Sequence, residues 1–150
     1  MTNPIEYTVK VHADGYKSWH LNGKLHREDG PATELADGSK IWYLHGELHR
    51  EDGPAIERAD GTKEWFLHDK RHREDGPAME WANGGKYWYL RGKSHREDGP
   101  AIEWASGNKY WYLDGKKLTE AEFNARRAPA KELTVAELEN LLGYSIKVVK

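Results

Sequence analysis

Cysteine is absent from the 150 residues, which excludes a disulfide framework and any thiolate metal site. Neither sign of charge dominates. The formal net charge is -2 with acids and bases intermixed, which argues against a broad electrostatic grip on nucleic acid or on an anionic membrane. No apolar run reaches the length of a membrane-spanning helix. The first ten residues, Met1–Lys10, hold no apolar core of signal-peptide length. The expectation is a cytoplasmic protein with no membrane span. Rings replace aliphatics as the apolar content: aromatics make up 11% of the chain, with seven Trp and eight Tyr. Disordered segments are poor in aromatics, so the 32% of charged residues does not by itself signal disorder.

The dominant feature is self-similarity at a fixed period. His-Arg-Glu-Asp-Gly-Pro-Ala begins at His26, His49, His72 and His95, 23 residues apart each time. Across these four units thirteen of 23 positions are identical, the heptapeptide together with the positions of Glu34, Ala36, Gly38, Lys40, Trp42 and Leu44. Three segments follow: a degenerate half repeat over 1–25, four repeats over 26–117, and a divergent end over 118–150.

Turn residues divide each unit. Asp37-Gly38, Asp60-Gly61, Asn83-Gly84 and Ser106-Gly107 read as two-residue hairpin turns with positive φ at both central residues. Second turns fall at His45-Gly46, His68-Asp69, Arg91-Gly92 and Asp114-Gly115, and third ones at each Asp-Gly-Pro. An even number of strands per unit keeps identical sequences in identical settings. Two main strands per unit are therefore expected, with Lys-x-His-Arg-Glu-Asp-Gly as the link.

A two-residue turn at 83 and 84 pairs Trp81 with Lys86, Glu80 with Tyr87 and Met79 with Trp88. Alternation then puts Met79, Trp81, Lys86, Trp88 and Leu90 on a core face, with a Trp81–Lys86 cation–π pair repeated at Trp104–Lys109. The other face carries a column of Tyr43, Phe66, Tyr89 and Tyr112 flanked by Glu34, Glu57, Glu80 and Glu103. These eight residues are the candidate binding face, because a row of aromatics on a sheet stacks sugar rings or bases, or anchors a protein hot spot. The competing reading is a second wall of a solenoid core. Bases fit least, since a Glu beside each ring repels phosphate.

After Lys117 the pattern changes. Thr119 with Glu122 and Thr134 with Glu137 are capping boxes, predicting helices over Glu120–Arg127 and Val135–Leu142. Gly143 ends the second, and Ser145–Lys150 reads as a final strand. This two-helix plus strand segment is expected to cover the open end of the array. Leu138, Leu141 and Leu142 supply one apolar face, which packs on its own chain or docks a partner.

The four His-Arg-Glu-Asp segments carry residue types used in metal and acid–base chemistry. Equivalent His residues in a stack of hairpins lie on the order of 9–10 Å apart, too far for one zinc ion to collect two of them. A structural use is expected instead, with Arg27 and its counterparts bridging to acids of the adjacent unit and Asp29 bonding its own turn. No metal or cofactor is expected. Catalysis has little support, because active sites bring together different residues from different places. No serine has a nucleophile-elbow context and no Gly-rich phosphate loop precedes a helix.

Asn22-Gly23-Lys24-Leu25-His26 followed by Ala36-Asp37-Gly38-Ser39-Lys40, at this period, resembles the MORN repeats over roughly residues 8–117. MORN repeats have a Gly-x-Gly after the His where this chain has Arg27 to Ala32. The run Trp-Tyr-Leu-x-Gly-Lys-x-His-Arg-Glu-Asp-Gly-Pro-Ala, and the ending Glu132 to Tyr144, are similar to proteins of tailed bacteriophages. The resemblance implies a mainly β array of stacked antiparallel hairpins that scaffolds proteins, and a virus protein acting on a host factor, including defence factors, in the bacterial cytoplasm. The expected function is a non-enzymatic protein-interaction module. The alternative is an aromatic-cage array for a small ligand or glycan, on a weaker resemblance to choline-binding repeats. Exposed end strands leave homodimerisation open.

Overall fold

The computed structural model describes residues 6–127, 133–145 and 147. The chain opens on a hairpin of β1 (Thr8–Val11) and β2 (Lys17–Leu21), with β3 (Lys24–Leu25) paired to β2. The first full unit then contributes four short strands, β4 (Thr33–Glu34), β5 (Lys40–Ile41), β6 (Tyr43–Leu44) and β7 (Glu47–Leu48). The second repeats them as β8 (Ile56–Glu57), β9 (Lys63–Glu64), β10 (Phe66–Leu67) and β11 (Lys70–Arg71). The third has β12 (Met79–Glu80), β13 (Lys86–Tyr87), β14 (Tyr89–Leu90) and β15 (Lys93–Ser94). In the fourth, β16 (Ile102–Glu103) is followed by a longer β17 (Lys109–Leu113) and β18 (Lys116–Leu118).

One antiparallel sheet runs through the whole array in the order β1-β2-β4-β5-β8-β9-β12-β13-β16-β17-β18. Two strands per unit enter it, so each copy returns in the same direction. The rest of each unit is a minor hairpin, β6-β7, β10-β11 or β14-β15. The Lys-x part of the expected link is thus itself a strand. Minor hairpins are joined along the stack by single backbone bonds. Gly46 donates to the Leu25 carbonyl at 2.8 Å, Asp69 to Leu48 at 3.0 Å and Gly92 to Arg71 at 2.8 Å.

The two-residue turn expected at the first turn of each unit is found at the second instead. In the major hairpin Trp81 N–H bonds the Gly85 carbonyl at 2.9 Å and Gly84 N–H returns to Trp81 at 2.9 Å. This is a three-residue loop, in which only Gly84 has positive φ, at 94°. The Asn83 side chain explains the choice: its Oδ1 accepts from Gly85 N–H at 3.0 Å, a local bond that holds the residue in a turn with negative φ. The two-residue turn with both φ values positive is the second one, at His45 (54°) and Gly46 (91°), closing Leu44 against Glu47.

One extra loop residue shifts the register, and a one-residue shift flips side chains to the other face. Glu80 opposes Lys86 and Met79 opposes Tyr87. The expected core face is therefore split, and the Trp81–Lys86 pair is not formed. Lys86 stands between Glu80 and Glu103, while the Trp81 ring meets Tyr87 at 6.1 Å. Two cross-strand rows result. The constant row alternates in charge through Lys17, Glu34, Lys40, Glu57, Lys63, Glu80, Lys86, Glu103 and Lys109. Opposite charges placed directly across strands stabilise each pairing by roughly 0.2–1 kcal/mol. The other row, Ser18, Thr33, Ile41, Ile56, Glu64, Met79, Tyr87, Ile102 and Tyr110, differs in character from unit to unit.

The core is thin. Ala32, Ala55, Ala78 and Ala101 are fully buried, and their carbonyls accept from Trp19, Trp42, Trp65 and Trp88 of the preceding unit at 2.7–2.9 Å. At the C-terminal end Thr119 and Glu122 cap α1 (Glu120–Arg127) reciprocally. Its Phe123 is buried beside the equally buried Leu118, so this helix covers the last strands. The second helix, α2 (Val135–Leu142), has the predicted Thr134–Glu137 box and a left-handed Gly143. It buries none of its residues, and Leu141 and Leu142 are exposed. The closing role expected of both helices is thus carried by α1. Of the predicted final strand Ser145–Lys150, residues 146 and 148–150 lie outside the described residues, and Ser145 and Lys147 are not in a strand. Among the described residues no helix is long and apolar enough to cross a membrane.

Gly84 has open space where a Cβ would go, so replacing it tests backbone strain alone. Gly84→Ala is expected to cost about 1–2 kcal/mol in urea unfolding, with the array still cooperative. A neutral result would mean that the loop tolerates a negative φ and that the register rests on something else.

Candidate functional site

The His-Arg-Glu-Asp-Gly-Pro segment joins one minor hairpin to the next major hairpin, and three of its four polar residues hold the stack together. Each His side chain reaches forward to the next second turn. His26 Nδ1 accepts from His45 N–H at 2.9 Å, His72 from Arg91 at 3.1 Å and His95 from Asp114 at 3.0 Å; His49 does the same for His68 at 3.3 Å. An Nδ1 that accepts turns the Nε2–H away from the turn. That Nε2 faces the Glu two residues on at 3.6 Å in every unit, beyond hydrogen-bonding distance. Since Nδ1 is engaged, it is not open to a metal. Among the described residues no group of three His, Asp or Glu side chains is arranged to hold one.

Each Arg lies over the Trp ring of the preceding unit. The guanidinium carbons of Arg27, Arg50, Arg73 and Arg96 stand 4.3, 4.0, 4.1 and 3.8 Å from the ring centroids of Trp19, Trp42, Trp65 and Trp88. Such a contact contributes about 0.5–1 kcal/mol at exposed sites and more when desolvated. The same Arg donates Nε to the Asp two residues on at 2.7–2.8 Å. In the last three units it also bonds the Glu seven residues on, Arg73 reaching Glu80 at 3.0 Å. Arg therefore bridges acids of its own unit, where the sequence suggested the adjacent one, and it touches its neighbour through the Trp ring. The Arg charge and hydrogen bond hold the carboxyls of Asp29, Asp52, Asp75 and Asp98 below their ordinary range.

The expected aromatic column divides. Tyr43, Tyr89 and Tyr112 are half-buried, whereas Phe66 is buried. Burial also pushes the Tyr43 hydroxyl up. Glu34, Glu57, Glu80 and Glu103 do not flank these rings. They sit in the constant row between lysines, with the Arg side chains beside them. The cation beside the Phe66 and Tyr89 rings is Arg71, at 5.1 and 5.8 Å. Arg71 is bound in turn to Glu64 at 2.9 Å in the other row.

That varied row was misplaced by the register read from sequence. Its second unit is ionic: buried Glu64 is held by Arg58 at 3.0 Å and by Arg71. At the same three positions the first unit has Leu35, Ile41 and Leu48, and the third has Trp81, Tyr87 and Ser94. In the last two units this surface becomes aromatic. Trp81 and Trp104 are 38% and 51% exposed, and the Tyr87 ring lies between them at 6.1 and 5.6 Å. The signal that could have found it was in the repeat itself, where the residues at the positions of Leu35, Ile41 and Leu48 change together from unit to unit.

Comparison with known proteins found no matching family model and no significantly similar curated protein.

Two outcomes follow from the link geometry. His72→Ala leaves Arg91 N–H without its acceptor and is expected to cost about 1–3 kcal/mol in urea unfolding; an unchanged midpoint would show that water replaces the ring at no cost. The second concerns acid. A carboxyl whose folded pKa is depressed contributes stability that is present above its unfolded pKa and is lost as pH falls through the folded value. Unfolding midpoints should thus stay level at neutral pH and decline below the ordinary Asp value of 3.8. The decline should be shallower in Asp75→Asn.

Proposed function

We propose that this chain is a non-enzymatic protein-interaction module whose contact surface is the aromatic patch that Trp81 and Trp104 form around Tyr87 of the varied row. The observation that supports this reading most is the division of labour within the repeat. Most residues common to all units build the stack, while Trp81, Tyr87 and Trp104, at positions that differ between units, form a partly exposed aromatic patch. Exposed Trp beside Tyr is the composition of a binding hot spot. Tyr43, Tyr89 and Tyr112 stay in the proposal as half-buried contributors, and Phe66 belongs to the fold. The similarity of the repeats to MORN arrays and to tailed-bacteriophage proteins makes a bacterial host factor, met in the cytoplasm, the partner class. The aromatic-cage alternative loses support where rings converge, because Arg71 of the chain itself stands against Phe66 and Tyr89.

The test is affinity capture from bacterial lysate followed by titration of the purified partner. One stoichiometric protein should be retained, and Trp81→Ser with Trp104→Ser should weaken it at least about tenfold with Tm little changed. The Tyr43/Tyr89/Tyr112→Ala variant should fold cooperatively and bind less well. Phe66→Ala should instead lose about 3–5 kcal/mol of stability. Undiminished binding by both surface variants would defeat the assignment.

A further inference from the structure

Glu28, Glu51, Glu74 and Glu97 are present in every unit, yet the structure gives them nothing to hold. Their neighbours in the motif are engaged: His with the next turn, Arg with Trp, and Asp with Arg. Each of these Glu side chains is 60–86% exposed, and the charged group recorded near it among the described residues is the His Nε2 at 3.6 Å. They stand along the walls of grooves between successive links. The groove between the first and second links encloses about 870 Å³ over Trp42, and that between the third and fourth about 690 Å³ over Trp88. Two Glu and two Asp against two Arg leave each groove a net -2 with His neutral.

The chain also shows what fits beside such a link. Beyond the fourth link there is no fifth, and helix α1 lies there instead. Arg126 and Arg127 line the space next to Glu97, and Arg127 donates to the Asp98 carbonyl at 3.1 Å. The position that a further unit would border is thus taken by basic side chains of the chain itself.

We propose that the inter-repeat grooves form a track for an extended, basic segment of a partner protein, separate from the varied row. Two sheet strands per unit at about 4.8 Å place successive Glu side chains roughly 9.6 Å apart, and a peptide in the extended polyproline II conformation advances about 9.3 Å per three-residue turn, which returns every third side chain to the same side. The track therefore selects Arg or Lys at every third position. Ammonium and guanidinium groups meet the exposed carboxylates, and the intervening residues run along grooves whose Trp42 and Trp88 rings are covered by Arg50 and Arg96.

Fluorescence anisotropy with the full chain tests this, using a labelled peptide of four Arg-Ser-Ala triplets and an isomer of the same composition with Arg at every second position. The triplet peptide should bind at least about tenfold more tightly, and its affinity should fall with added salt. Replacing all four carboxylates (Glu28→Gln, Glu51→Gln, Glu74→Gln, Glu97→Gln) should remove that preference with Tm little changed, since these exposed side chains only approach the His Nε2 at 3.6 Å. Equal binding of the two peptides, no binding of either, or full retention by the Gln variant would each overturn the track. None of those results touches the varied row, whose own test is the Trp81/Trp104 variant against the captured partner.

Discussion

The stack depends on one contact repeated from unit to unit, the Arg of each link lying on the Trp of the unit before it. A link of six residues with two acids, a Gly and a Pro has little reason to fold by itself. The Arg supplies the reason. It offers a flat cation to the ring, Nε to the Asp two residues on, and a third N–H to the Pro carbonyl four residues on, as Arg73 does to Pro77 at 3.2 Å. A guanidinium can serve a ring face and several oxygens at once because its donors lie in its own plane; a Lys could not. With the link held, the His that precedes the Arg is positioned for the next turn, and the grooves between links acquire fixed walls.

Small side chains at the centre follow from the same arrangement. The Ala that ends each heptapeptide is where the backbones of neighbouring units come closest, its carbonyl accepting from the previous Trp. Little apolar volume is buried there, so stability is spread over backbone pairing, the alternating Lys–Glu row and stacked rings. An array of this kind is a sum of similar units and interfaces. It can let one row drift between apolar, ionic and aromatic, as Ile41, Glu64 and Tyr87 show at equivalent positions, because the constant row maintains the pairing.

Constant and varied surfaces suit different tasks. The varied row can specify a single partner through a local aromatic cluster. The constant links can only recognise something periodic, and their free carboxylates make that a spaced basic chain.

The repeat, its period, the positions of the turns, both capping boxes and the mainly β architecture with a helical end are legible in the sequence, because each rests on local chemistry: Gly at positive φ, Thr answering Glu three residues on, identical residues 23 apart. The register was not. Asp-Gly and Asn-Gly are compatible with either a two- or a three-residue loop, and the choice rests on a side-chain bond such as Asn83 to Gly85 N–H. That single residue decides whether Glu80 faces Tyr87 or Lys86, and with it which rings are core and which are surface. Only the tertiary structure could likewise show that the His and Arg of the link are engaged while its Glu is free, since their partners lie in neighbouring units. Composition and period determined what kind of molecule this is; contacts between units, which no local signal encodes, decided which of its side chains are engaged and which are exposed.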